Sequence, residues 1–437
     1  MSISNLFKER IIPLTTAEII VTRNSKALSI NGPKIIVFVL DSSSVERSRQ
    51  YWEHTSDVVI RLDYYYQEMS NYLIRYIEIV KARYQSHVWG RHQLKIYSKN
   101  KKNKDLKPAL PHPYREEGGI FIYPSIHLHL SRYKRKSPET LHGSIQMPLK
   151  RLNKILGEDE TEGGMPKGRC TAMIGSRGTH KSHLGYYILL NNIKENRNCH
   201  HRGLIISLRD DVGLAINAMS KFMPKNEVES YIKNDDLEIL FFPPGYITPE
   251  EFYHRILMSL LRLKRPSKPG EEVHVTVLFN SLDQLSARFP LCAKEDVFIP
   301  GLIDTFTAEK VTSIFISVDE PGQPEHQYGL LTMADLIISF HQRLFDWDDY
   351  FGHIKSTANH EQTIPDLLRN EFGDEIYAVV LRVERFAGGQ RAGDGGILEL
   401  VQKDPIEKLY STLFNGKQEK LVFIPFNAGF GQGKTLN

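Results

Sequence analysis

The residues best suited by type and spacing to do chemistry are Gly175-Ser176-Arg177-Gly178-Thr179-His180-Lys181-Ser182. They follow the pattern GxxxxGK[ST], except that His180 stands at the second glycine. In such a loop, successive backbone N–H groups wrap a phosphate, the lysine reaches the outer phosphates and the hydroxyl holds Mg²⁺. The chemistry expected of these eight residues is therefore the binding of ATP with Mg²⁺. The second glycine normally lets backbone approach phosphate closely, so His180 predicts a looser grip.

A phosphate loop works only when a strand delivers it and a helix leaves it, because the helix N-terminus presents its amides to the anion. Both are legible. Cys170–Gly175 reads as a short buried strand and Lys181–Ile193 as a helix. The alternation continues with strands at Gly203–Leu208, Leu237–Phe242 and Val273–Phe279, and helices at Val212–Phe222 and Pro249–Leu263. Strand and helix in alternation predict an α/β fold, a mostly parallel sheet with helices on its faces. A second loop-like stretch, Ala428-Gly429-Phe430-Gly431-Gln432-Gly433-Lys434-Thr435, follows the strand-like Leu421–Phe426. Only Leu436 and Asn437 lie beyond it, so no helix can aim its dipole there, and it reads as a tail.

The chain of 437 residues is 41% hydrophobic and 25% charged, the balance of an ordinary globular protein rather than a disordered one. No apolar stretch approaches the roughly 20 residues that span a bilayer, and the N-terminus lacks a signal-peptide pattern. Cys170, Cys199 and Cys292 form no metal-ligand spacing and suit a reducing compartment. These features predict a cytoplasmic chain without a membrane segment. The net charge of +4 is unevenly spread. Basic runs at 95–107 and 132–136 could meet nucleic acid phosphates, or could be solvated loops.

An internal repeat organises the chain. Ile35-Ile36-Val37-Phe38-Val39-Leu40-Asp41 and Ser313-Ile314-Phe315-Ile316-Ser317-Val318-Asp319 are apolar strands ending in Asp. At the same spacing beyond each come Asp57-Val58-Val59-Ile60 and Asp335-Leu336-Ile337-Ile338, and later the β-rich Ile77–Arg83 and Ala378–Arg385. Too little chain precedes residue 35 for a phosphate loop with its helix and strands. The first copy therefore reads as a half-domain.

Leu152-Asn153-Lys154-Ile155-Leu156, followed by Gly163-Gly164-Met165-Pro166-Lys167-Gly168, resembles the "LDxLLGGGLPxG" approach to the phosphate loop in the KaiC/RadA branch of RecA-like ATPases. Lys81-Ala82-Arg83-Tyr84-Gln85-Ser86-His87 resembles that family's late "KxRGxxH" strand. The resemblance implies a RecA-like P-loop core preceded by a truncated KaiC-like half-domain without a Walker A loop. Domains are expected at 1–138 and 139–405, with an insertion near 343–376, and a C-terminal extension at 406–437. It further implies that Lys81 and Arg83 act on a nucleotide bound elsewhere, as in a homo-oligomer with interfacial sites.

The matching positions depart from the family pattern. Arg209 and Asp210 stand where a pair of glutamates is usual, leaving Asp210 as the residual catalytic base. Val275-Thr276-Val277-Leu278-Phe279-Asn280-Ser281-Leu282 resembles the Walker B strand with Asn280 in place of Asp, so Ser182 and Asn280 form a metal site without charge. Asp283 is a nearby carboxylate that could compensate. Of the second unit's cationic strand, Arg385 survives. ATP binding with weak or partner-dependent hydrolysis is the reading these residues favour. A non-hydrolysing nucleotide sensor or scaffold for a protein partner, and a DNA-dependent ATPase, stand as alternatives.

Overall fold

The computed structural model describes residues 17–21, 36–40, 51, 53–67, 72–97, 119–132, 143–147, 152–153, 156, 164–195, 200–244, 247–318, 326–344, 377–386, 397–400 and 421–422. The chain divides into two compact units, Met1–Tyr65 with Arg75–Arg91, and Tyr66–Ile74 with His92–Asn437. Residues 92–138, read from sequence with the first domain, thus cluster with the second unit.

In the first unit, β1 (Ala17–Val21) and β2 (Ile36–Leu40) pair antiparallel. Strands β3 (Val58–Gln67) and β4 (Tyr72–Ala82) are neighbours in a separate sheet. β3 alternates with period two. Val58, Ile60, Leu62 and Tyr64 are exposed on one face. On the other, Arg61 lies 3.5 Å from Glu78 and 3.8 Å from Glu53, and Arg91 lies 3.5 Å from Asp63. The apolar row is exposed on one face, and the ion pairs lie on the other, themselves partly exposed.

From His92 onward the chain belongs to the second unit. There β5 (Arg91–Tyr97) and β6 (Gly119–Tyr123) pair antiparallel, Leu94 opposite Ile122. Helix α1 (Ile126–Arg132) and the short pair β7 (Ser144–Ile145) and β8 (Met165–Pro166) lead to β9 (Cys170–Gly175). Then follow α2 (Lys181–Lys194), β10 (His200–Ser207), α3 (Val212–Met219), α4 (Lys225–Lys233), β11 (Leu237–Phe241) and α5 (Pro249–Leu263). Next come β12 (Val273–Asn280), α6 (Asp283–Arg288), α7 (Pro290–Ala293), α8 (Phe298–Ala308) and β13 (Thr312–Val318). Helix α9 (His326–Met333) precedes β14 (Leu336–Leu344), β15 (Tyr377–Phe386), β16 (Ile397–Leu400) and β17 (Leu421–Val422).

One sheet of nine strands runs β11-β10-β12-β13-β9-β14-β15-β16-β17. From β11 to β14 every neighbouring pair is parallel; β15 and β16 then turn antiparallel. The expected α/β architecture is thus observed. The parallel strands are continuous apolar runs because helices cover both faces. Along β10, Leu204 and Ile206 enter one core with Phe252 and Ile256 of α5 and Phe306 of α8, while Ile205 enters the other with Leu184 and Ile188 of α2.

The two halves of the sequence repeat differ in setting. β13 and β14 flank β9 in one sheet, whereas β2 and β3 belong to separate sheets. Arg385 sits on β15, in register with Ile337.

Candidate functional site

The loop Gly175–Ser182 leaves the C-terminal end of β9, an interior strand with β13 on one side and β14 on the other. The chain reaches β14 only after crossing β9 from β13, so strand order switches at β9. Ligands in open parallel sheets bind outside the carboxyl ends of strands at such a switch. Gly175 is required there: its φ is +151°, and a Cβ would stand 2.1 Å from the carbonyl oxygen of Phe340.

At the far end of the loop, His180 adopts φ 59° and ψ 19°, the left-handed region, as the N-cap of α2. The position that the motif gives to glycine keeps a glycine's backbone shape while carrying an imidazole. His180 makes no capping hydrogen bond through its side chain, and the first turn of α2 holds no acid. The positive end of the helix dipole therefore stays uncompensated by a local carboxylate.

Lys181 is buried and turned into the loop. Its Nζ donates to the carbonyls of Gly175 at 2.7 Å and Ser176 at 2.6 Å, and lies 3.1 Å from Thr179 Oγ1. Thr179 Oγ1 in turn donates to Ser176 O at 2.8 Å. The ammonium thus curls the loop around itself, and each charge-assisted bond of this kind contributes on the order of 1.5–3 kcal/mol. Ser176 is half-buried, whereas Arg177 and Gly178 form the exposed crest, Gly178 with φ +80°.

Ser182 and Asn280 are brought together. Ser182 Oγ donates to Asn280 Oδ1 at 2.8 Å, and Asn280 Nδ2 donates to the hydroxyl of buried Tyr186 at 2.9 Å. Burial first, and then the nearby Asp210 charge, push the Tyr186 hydroxyl up to about 12. Hydroxyl, amide and phenol form a neutral chain at the place where the sequence predicts a metal. Among the described residues, no cluster of three or more His, Cys, Asp or Glu side chains could hold a metal ion. The Asn280–Ser281 peptide is cis.

Asp210 follows β10, where Ser207 is in register with Asn280 of β12. Its backbone is fixed twice by Ser207 Oγ, which donates to Asp210 O at 2.6 Å and accepts from Asp210 N at 3.1 Å. Its carboxylate lies 3.3 Å from Nε of the exposed Arg209. Asp283 bonds Ser281 Oγ, and accepts from Gln284 Nε2 at 2.7 Å. Lys81 and Arg83 belong to the first unit. Lys81 Nζ donates to the carbonyls of Glu53 at 2.7 Å and His54 at 2.9 Å, and Arg83 Nη2 to His54 at 2.7 Å. Both cations cap the carbonyl end of the helical turn at 53–55.

Sequence reading missed Tyr186, His183 and Lys221. His183 follows His180 by one helical turn, ring centroids 5.4 Å apart, and Lys221 Nζ lies 3.4 Å from His183 Nε2. Burial, then Lys221 and His180, lower His183 to about 4; burial and Lys221 also lower His180. Helical spacing from Ser182 could have flagged Tyr186, one turn along the same helix.

Of the basic run 95–107, Lys95 pairs with the buried Glu251, and residues 98–107 lie outside the described residues. So do 133–136 and the C-terminal loop-like stretch 428–435. No helix among the described residues is long and apolar enough to cross a membrane. No match to the chain was found among protein-family models or curated proteins.

Proposed function

We propose that the chain binds ATP at Gly175–Ser182 through a RecA-like core and hydrolyses it weakly or only with a partner. The observation that carries this reading is the loop's placement. A glycine-started turn leaves an interior parallel strand at the switch of strand order, and ends on a helix N-terminus free of acids. The buried lysine inside the loop supports it further. An exchange of Lys181 acceptors, from loop carbonyls to phosphate oxygens, would open the cradle. Isothermal titration with ATP and ADP tests binding, and a phosphate-release assay on the full chain tests turnover. Absence of saturable binding would remove the proposal.

A second reading, a nucleotide sensor or scaffold without turnover, is favoured by two specific pairings. Asp210, the residual base, is ion-paired to Arg209, and Asn280 gives its polar groups to Ser182 and Tyr186. Hydrolysis needs an aligned water and charge balance around the γ-phosphate. Binding with no phosphate release would select this second reading. Assembly into a homo-oligomer is part of both. The exposed row Val58, Ile60, Leu62 and Tyr64 supports it, because contiguous apolar surface of this kind marks interaction sites.

A further inference from the structure

We propose that the nucleotide taken at Gly175–Ser182 is the metal-free polyphosphate anion, with the protein's own cations in the role of Mg²⁺. This rests on the nucleotide-binding reading and concerns the form of the ligand.

In a phosphate loop, Mg²⁺ is held by the loop hydroxyl and an acidic side chain on a second strand, and it bridges the β- and γ-phosphate oxygens. Mg²⁺ is a hard cation that gives up water reluctantly and favours carboxylate ligands. The residues present do not fit it. Asn280 is buried, its carbonyl oxygen receives the Ser182 hydroxyl proton and its amide group is donated to Tyr186. It carries no charge with which to hold the ion or a water on it. The nearby carboxylates are committed elsewhere. Asp210 is 3.3 Å from Arg209, Asp283 serves Ser281 and Gln284, and Asp211 caps α3 by accepting from Leu214 N at 2.8 Å.

Positive groups, by contrast, surround the loop. Lys181 lies within it, Arg177 stands on its crest, and Lys221 sits against His183 one turn into α2. The α2 N-terminus adds its dipole without an acid in the first turn. A bare triphosphate carries more negative charge than its Mg²⁺ complex, and this cationic rim complements the bare form. The Ser182–Asn280–Tyr186 chain closes the metal position with neutral hydrogen bonds that need no counter-ion. A buried neutral network of this kind persists only when each member is satisfied.

The test is calorimetric titration of the full chain with ATP, once with Mg²⁺ and once with a chelator, on the wild type and on Asn280→Asp and Lys221→Ala. The expected result is affinity in chelator within about threefold of that with Mg²⁺. Lys221→Ala, an exposed substitution, weakens binding more in chelator than in Mg²⁺. Asn280→Asp makes binding tighter with Mg²⁺ than in chelator, because a carboxylate both attracts Mg²⁺ and repels the bare anion. Circular dichroism confirms that each variant is folded. Wild-type binding that weakens by about tenfold or more on chelation overturns the inference and leaves the nucleotide-binding reading intact. An Asn280→Asp variant with unchanged metal response overturns the role given to Asn280. No binding in either condition removes the nucleotide reading and this inference with it.

Discussion

Gly175 and Phe340 stand in register on neighbouring parallel strands, so close that a Cβ on Gly175 would lie 2.1 Å from the Phe340 carbonyl oxygen. The obstacle is backbone, which cannot rotate away. Gly175→Ala must push β9 from β14 and hold alanine at positive φ, costing about 3 kcal/mol. Thermal denaturation of the variant checks this, and an unchanged Tm would show that the strands are not so apposed.

His180 carries the opposite lesson. A non-glycine residue in the left-handed region costs on the order of 1 kcal/mol. His180→Gly relieves that cost and clears the imidazole from the loop. The expected outcome is equal or slightly greater stability with tighter ATP binding, read by titration. Weaker binding would mean that the ring itself contacts the ligand.

Acid stability follows from the neutral histidines. His183 is lowered to about 4, and His274 to about 3 by burial and the charges of Lys167, His201 and Lys264. The unfolded chain takes up these protons below about 6.5, so the native state binds fewer between there and the folded values. Stability is full above that upper limit and falls as pH drops toward 3. Tm should be lower at acidic pH than at neutral pH, with a shallower slope in His274→Asn. A Tm that rises on acidification would contradict the burial of these rings.

Acidic side chains at the three substituted positions are expected to raise turnover. Arg209→Glu, Asp210→Glu and Asn280→Asp together restore the acidic set that the family resemblance implies. Phosphate release in the triple variant should exceed that of the wild type by about tenfold or more. Equal rates would show that alignment of the water, not these side chains, is missing.

Assembly is tested on β3. Leu62→Lys with Tyr64→Lys places charge in the exposed apolar row, and analytical ultracentrifugation should show a smaller species than the wild type. A monomeric wild type would remove the oligomer proposal.

The elements around the loop were legible because their signals are local. Helix α5 begins where Thr248 accepts from Glu251 N, with Pro249 and two acids in the first turn, and every one of those signals is in the sequence. The helix expected to reach Phe222 ends at Met219. Its cap, Ser220, bonds back to Ile216 O at 2.8 Å, and Pro224 then starts α4, which the reading passed over. The motif told where Lys181 sits but not that it faces inward onto Gly175 and Ser176. The pairing of Ser182 with Asn280 was open only as a shared metal role. That they bond each other, with Tyr186 completing the chain, depends on how α2 lies over β12, a long-range packing outcome. The half-domain likewise rested on strand patterns, and patterns do not specify which strands share a sheet.

Glu251, nearly inaccessible on α5, is bound by Arg255 from its own helix and by Lys95 from β5, while Thr248 at the helix cap bonds Gln93 on the same strand. Removing one partner of such a buried charge costs up to about 3–5 kcal/mol. The α/β core therefore has an N-terminal border that the Gly175–Ser182 motif does not reveal. A fragment starting at residue 139 would leave a carboxylate underneutralised inside its own helix layer, whereas one starting at His92 would keep its counter-charge. Limited proteolysis should accordingly leave a resistant piece in which β5 remains bound to α5 even after cleavage between them.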